Sequence, residues 1–166
     1  MDDPDSPYCA LLLAYAGLHR LGWDDRITQI LNEDVLLHAV GQGAIGIECR
    51  EEDSFTRDIL APLNHSETRL RAEAEREFMK KLEGGCSIPL GVYSEYSVDS
   101  QGCSKLELRG SVTSLDGSEQ IADSVSGVCN ETDMNALMKW ASELGISLGL
   151  KLQQLGAQKL LNEIKQ

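Results

Sequence analysis

Apolar positions recur with two different periods along this chain, and the change of period organises its second half. Leu70, Ala74, Phe78 and Leu82 repeat every four residues, the spacing that puts side chains on one face of an α-helix. A helix is predicted from about Glu67 to Leu82. Asn64 followed by Glu67 supplies a capping-box-like start. Glu67–Arg71 and Glu77–Lys81 are acid-before-base pairs at i,i+4 on the same helix, and Gly84-Gly85 ends it. Beyond residue 90 the period drops to two. Residues 90–96, the alternating Leu106, Leu108 and Val112, and residues 119–126 predict three strands. Turn signals at Asp99 to Gly102 and at Asp116-Gly117 separate them. Helices follow from about Thr132 to Leu155 and from Ala157 to Ile164. Helix, three strands, then helices predict an α+β domain over residues 64–166, a three-stranded antiparallel sheet with helices on one face.

The first 63 residues read differently. Leu11, Leu12, Ala14, Tyr15, Leu18 and Leu21 predict an amphipathic helix over 8–21, closed by Gly22. Residues 24–39 read as short helical pieces and turns. Residues 40–50 form a glycine-rich loop entering a strand that has no obvious partner, and residues 54–62 a short helix capped by Ser54. No internal repeat is visible.

Composition narrows the class. The 166 residues suffice for one ordinary domain or two small ones. With aromatics at 5% the core must be mostly aliphatic. The formal net charge of -12 argues against a nucleic-acid or anionic-membrane surface, which needs a basic footprint. The longest apolar run, Cys9 to Ala14, is far short of the ~20 residues of a membrane helix. The acidic start Met1-Asp2-Asp3-Pro4-Asp5 fits neither a secretory nor an organellar targeting segment, so a cytoplasmic protein is expected. The five cysteines are odd in number, lack C-x-x-C spacing and do not pair with His19, His38 or His65 at ligand spacing. Neither a disulfide framework nor a metal site is expected.

Three features are candidates for chemistry. In Leu82-Glu83-Gly84-Gly85-Cys86-Ser87-Ile88-Pro89 two glycines let the backbone carrying Cys86 approach a ligand closely. The simpler reading is a Schellman-type helix end followed by a buried thiol. The negative end of the helix dipole and Glu83 both disfavour a thiolate at Cys86. A thioether formed once suits such a cysteine better than repeated nucleophilic attack. In Val40-Gly41-Gln42-Gly43-Ala44 two glycines can expose backbone N–H groups and one side-chain amide to an anion. A glycine-rich approach to a strand explains the same residues. Arg20, in Ala16-Gly17-Leu18-His19-Arg20, is either a carboxylate ligand or a solvated charge at a helix C-terminus.

In their order and spacing these segments resemble the C-terminal half of porphobilinogen deaminases. Leu11 to Gly22 is similar to the helix ending the family's second domain, and Ala39 to Glu48 to the strand returning to its first. Asn64-His65-Ser66-Glu67-Thr68, Leu70-Arg71, Ala74-Glu75-Arg76 and Phe78 resemble the helix opening the third domain. Leu82-Glu83-Gly84-Gly85-Cys86 with Pro89 is similar to the cofactor-attachment motif, and Leu115-Asp116-Gly117-Ser118 fits a later hairpin. The likeness covers the chain from Tyr8 onward.

The resemblance implies a transferase, a hydroxymethylbilane synthase of tetrapyrrole and heme biosynthesis. The family condenses four porphobilinogen molecules into hydroxymethylbilane, releasing ammonia, on a dipyrromethane cofactor held by a thioether. It implies that Cys86 carries that cofactor covalently, one per chain. Arg20 should meet a pyrrole carboxylate, Gln42 and Gly43 should supply amide contacts, and Leu13, Ala14 and Gly17 should line the same wall. Residues 1–63 would be a remnant of the α/β second and first domains, and 64–166 the cofactor-carrying domain. The family's catalytic aspartate and most of its basic cleft have no counterpart here, Cys9 stands where the family usually has aspartate, and residues 1–7 match nothing. The implied protein is monomeric or needs the missing N-terminal half, and this chain alone is expected to be inactive. The other reading is a non-catalytic binding module retaining the C-terminal domain.

Overall fold

In the computed structural model, which describes residues 6–82 and 88–164, helices α1 (Tyr15–Arg20), α2 (Ser54–Leu60) and α3 (Ser66–Lys81) precede strands β1 (Leu90–Val98), β2 (Ser104–Thr113) and β3 (Gln120–Cys129), followed by helices α4 (Met134–Gln154) and α5 (Ala157–Ile164). The strands form one antiparallel sheet in the order β1-β2-β3. Ser94 pairs with Leu108, and Leu108 with Val125. That register puts Val92, Leu106, Leu108 and Val112 on the face covered by helices, where all four are buried. The predicted stripe of α3 is buried to its last member. Leu148 and Leu152 of α4 and Leu160 and Leu161 of α5 complete the core. The α+β arrangement is the one expected for residues 64–166.

Close approach of α3 and α4 depends on small residues. A Cβ on Gly145 would lie 2.1 Å from the Ala74 carbonyl oxygen, and one on Gly149 2.7 Å from Lys81 Cβ. The Gln153 side-chain amide donates to the Lys81 carbonyl at 3.0 Å. This satisfies an orphan acceptor at the end of α3.

Several local expectations are corrected. The helix expected over 8–21 is confined to Tyr15–Arg20, and Leu11, Leu12 and Leu13 are exposed. A short apolar stripe needs a packed partner to hold a helix, and none covers these residues among the described ones. The Gly22 stop does form: its φ is +69°, its N–H donates to His19 and that of Trp23 to Leu18, a Schellman pair. The strand expected at 44–50 is absent; those residues are exposed and lack a ladder partner. Asp53, not Ser54, caps α2. Its carboxylate takes the Thr56 N–H at 3.0 Å and the Thr56 hydroxyl at 2.7 Å, which holds its pKa below the usual value. His65, not Asn64, caps α3 through the Thr68 N–H, because Asn64 ends a 3-10 turn by donating to Ala61. Glu67 pairs with Arg71 as expected, at 3.7 Å. Glu77 pairs with Lys80 rather than Lys81, whose stem lies against Gly149.

The chain divides into two compact units, Met1–Val35 and Leu36–Gln166. Within the second, residues 36–42 join the sheet body. His38 bridges Val92 by reciprocal backbone hydrogen bonds of 2.9 and 2.8 Å, Leu37 lies against Gly91, and Val40 packs on the core. Among the described residues no helix is long and apolar enough to cross a membrane.

Candidate functional site

Gln42 and Gly43 lie in two overlapping turns built on that anchored segment. The Gln42 N–H donates to the Ala39 carbonyl at 3.0 Å, and the Ala44 N–H to the Gly41 carbonyl at 3.1 Å. Each turn has a glycine at its third position with positive φ, Gly41 at +71° and Gly43 at +82°, as type II geometry requires. The Gly41 N–H donates to Glu75 Oε2 at 2.7 Å. Three of the donors in this loop are thus occupied by Ala39, Gly41 and Glu75. Among the described residues the Gly43 N–H and the Gln42 side-chain amide have no hydrogen-bond partner. The sequence predicted a loop exposing N–H groups; within the two turns the Gly43 N–H is left unpaired among the described residues.

The other ligand-wall candidates lie in the first unit. Ala14 is the N-cap of α1, with φ -66° and ψ 120°, and its carbonyl accepts from Gly17 and Leu18. Leu13, Ala14, Gly17 and Arg20 are all exposed, and Arg20 stands in the last turn of α1. Among the described residues Arg20 makes no ion pair or side-chain hydrogen bond. Its neighbour His19 is committed to Asp24 at 2.8 Å and stacks on Tyr15.

Cys86 lies outside the described residues, as do the other residues of 83–87. The chain is held on both sides of them. Leu82 is in the core, Ile88 packs against it, and the Pro89 carbonyl accepts from the Thr113 N–H at 3.2 Å.

Glu75 was not a candidate from spacing. It follows Ala74 at the flank of the buried stripe and is only 8% exposed. Ser94, itself buried, donates its hydroxyl to Glu75 Oε1 and accepts from Arg71 Nε at 3.0 Å. The available signal was an Arg71–Glu75 pair at i,i+4 beside an apolar stripe. His38, which has no metal-ligand spacing, docks this segment on the sheet through its backbone.

Two family models match the chain. One, described as porphobilinogen deaminase, dipyromethane cofactor binding domain, covers residues 2–58. The other, described as porphobilinogen deaminase, C-terminal domain, covers residues 69–154. Among curated proteins the chain is 44% identical over 155 residues to the porphobilinogen deaminase of Carboxydothermus hydrogenoformans, covering 93% of this chain and 45% of that protein. It is 46% identical over 157 residues to that of a Nostoc species, covering 95% and 44%, and 40% identical over 161 residues to that of Chlorobium luteolum, covering 97% and 48%. The chain therefore spans about half the length of the curated relatives it matches. On these matches, and on a sheet-and-helix body built as expected, the chain belongs to the porphobilinogen deaminase family.

Proposed function

We propose that this chain serves the reaction of a hydroxymethylbilane synthase, holding a dipyrromethane through a thioether to Cys86 and the pyrrole side chains through Arg20, Gln42 and Gly43. The observation that supports this most is how the candidates divide between the two matched segments. Leu13, Ala14, Gly17, Arg20, Gln42 and Gly43 all fall within residues 2–58, the match to a cofactor-binding domain, whereas Cys86 falls within 69–154.

The donors fit an anionic pyrrole. Arg20 presents a guanidinium fork to a carboxylate, a charged hydrogen bond contributing about 1.5–3 kcal/mol. The Gly43 N–H and the Gln42 amide present neutral donors with no partner to displace among the described residues. Leu13, Ala14 and Gly17 add apolar and small surface beside Arg20 in sequence. The dipyrromethane, when bound, would supply the anchor from which the product chain grows. Expelling the amine of porphobilinogen needs a positioned acid. The carboxylate that contacts the Gln42 loop is Glu75, and both its oxygens are hydrogen-bonded. Because the family's catalytic aspartate has no counterpart in this sequence, we assign the proton transfer to residues beyond these 166, and this chain alone should not turn over.

The test is ammonia release and pyrrole colour with an aldehyde reagent, after incubation with porphobilinogen. The chain alone should release no ammonia. The chain assembled with the upstream half of the Carboxydothermus relative should release it. Turnover by the chain alone would overturn the division of labour. An assembly with neither turnover nor pyrrole colour would favour the non-catalytic module.

A further inference from the structure

We propose that Glu75 is a positioning residue that holds the Gln42–Gly43 turn in the conformation that leaves the Gly43 N–H free for an anionic ligand. The inference rests on the reading of that turn as a ligand contact.

Gly41 is shared by both turns. Its carbonyl closes the second by accepting from Ala44, and its N–H is taken by Glu75. The residue joining the two turns is therefore held at both of its peptide groups. Upstream, the chain is already docked by the His38–Val92 bridge and by Val40 in the core. Downstream, residues 42–50 are exposed and make no hydrogen bond to the sheet body among the described residues. Glu75 is thus the last tie between the body and the loop that carries Gln42.

The chemistry of the tie is specific. A buried carboxylate is costly unless its oxygens are hydrogen-bonded. Glu75 meets that condition with one backbone N–H and one hydroxyl, and Ser94 links it to the Arg71 guanidinium. Bonds to an ionised acceptor are roughly twice as strong as neutral ones. An apolar residue here would extend the α3 stripe and leave the Gly41 N–H without a partner. A carboxylate on the helix, reaching across 34 residues of sequence to one glycine, suits a latch.

The experiment is two-dimensional amide NMR on the 166-residue chain with porphobilinogen as probe. In Glu75→Ala the Gly41 amide should exchange at least ~10-fold faster, and the Gln42 and Gly43 resonances should move, while core amides such as Leu108 keep theirs. Glu75→Gln retains one acceptor in the same shape, so it should restore part of the protection. Should Glu75→Ala fail to fold, Glu75→Gln carries the test, with a smaller but measurable loss at Gly41. Unchanged Gly41 exchange in a folded variant overturns the latch. Porphobilinogen should shift Gln42 and Gly43 in the unaltered chain and bind about tenfold more weakly to Glu75→Ala. Equal binding by both overturns the positioning role. Absent shifts in the unaltered chain, with Gly41 still dependent on Glu75, leave the latch standing and overturn the ligand reading of the turn.

Discussion

The chain has two phenylalanines, and they mark two regions of different physics. Phe78 is 0% exposed, with its ring so close to the sheet that a Cβ on Gly110 would lie 2.6 Å from Phe78 Cζ. Phe55 is 75% exposed. The contrast extends to their surroundings. No described residue from 6 to 69 is buried, whereas α3, the sheet, α4 and α5 share one continuous core. Both regions carry apolar residues at helical spacing. Periodicity says which side chains share a face; burial depends on whether another layer reaches that face. In the second region the sheet and α4 reach the α3 stripe. In the first, no described residue covers Leu11, Leu12 and Leu13, and the helix shrinks to six residues.

The sharpest way to break this comparison is to truncate each phenylalanine in turn. Phe78→Ala should lower unfolding free energy by about 3–5 kcal/mol, combining lost transfer energy with an unfilled cavity. Urea denaturation would read it. Next in size is Gly145→Ala. The added methyl meets the Ala74 carbonyl oxygen at 2.1 Å, so α3 and α4 must part, at a cost of about 1–3 kcal/mol despite alanine's better helix propensity. A Tm that rises instead would mean the two helices are less closely packed than described.

A smaller, pH-dependent effect belongs to the β2–β3 hairpin. The Ser114 hydroxyl, then the Ser118 hydroxyl and N–H, donate to Asp116 and lower its pKa to about 2. A depressed carboxylate contributes stability above its unfolded pKa, and that contribution is lost as pH falls through the folded value. Denaturation midpoints should therefore fall as pH drops toward about 2, and Asp116→Asn should flatten that part of the curve. Asp123, held low by the Lys151 ammonium and the Ser124 N–H, should add in the same direction. Smallest of all, Phe55→Ala should change stability by less than about 0.5 kcal/mol. A loss comparable to that of Phe78→Ala would erase the distinction between the two regions.

What was legible in the sequence follows the same division. The α3 stripe, the three strands and both closing helices could be read because their buried apolar residues pack mainly on one another. The first half of the helix expected over 8–21 and the strand expected at 44–50 do not form, because their apolar residues have no covering layer among the described residues. The His38–Val92 bridge that docks residues 36–42 left no side-chain signature, since it uses only backbone groups. Glu75 has no spacing signal of its own, and its burial and partners come only from the structure. At the site, residue types suggested an anion-binding loop and a tether-like cysteine, but spacing could not choose between these and plainer readings. The ordered resemblance made that choice. The turn geometry then showed the Gly41, Gln42 and Ala44 N–H groups taken and the Gly43 N–H unpaired among the described residues.

The central claim is that Cys86 carries the pyrrole cofactor. Peptide mapping by mass spectrometry, on the 166-residue chain assembled with the upstream half of a relative, tests it most directly. The account predicts a dipyrromethane mass on the peptide containing Cys86 and none on those containing Cys9, Cys49, Cys103 or Cys129. An unmodified Cys86 peptide in an assembly that consumes porphobilinogen, or the pyrrole mass on another cysteine, would contradict it.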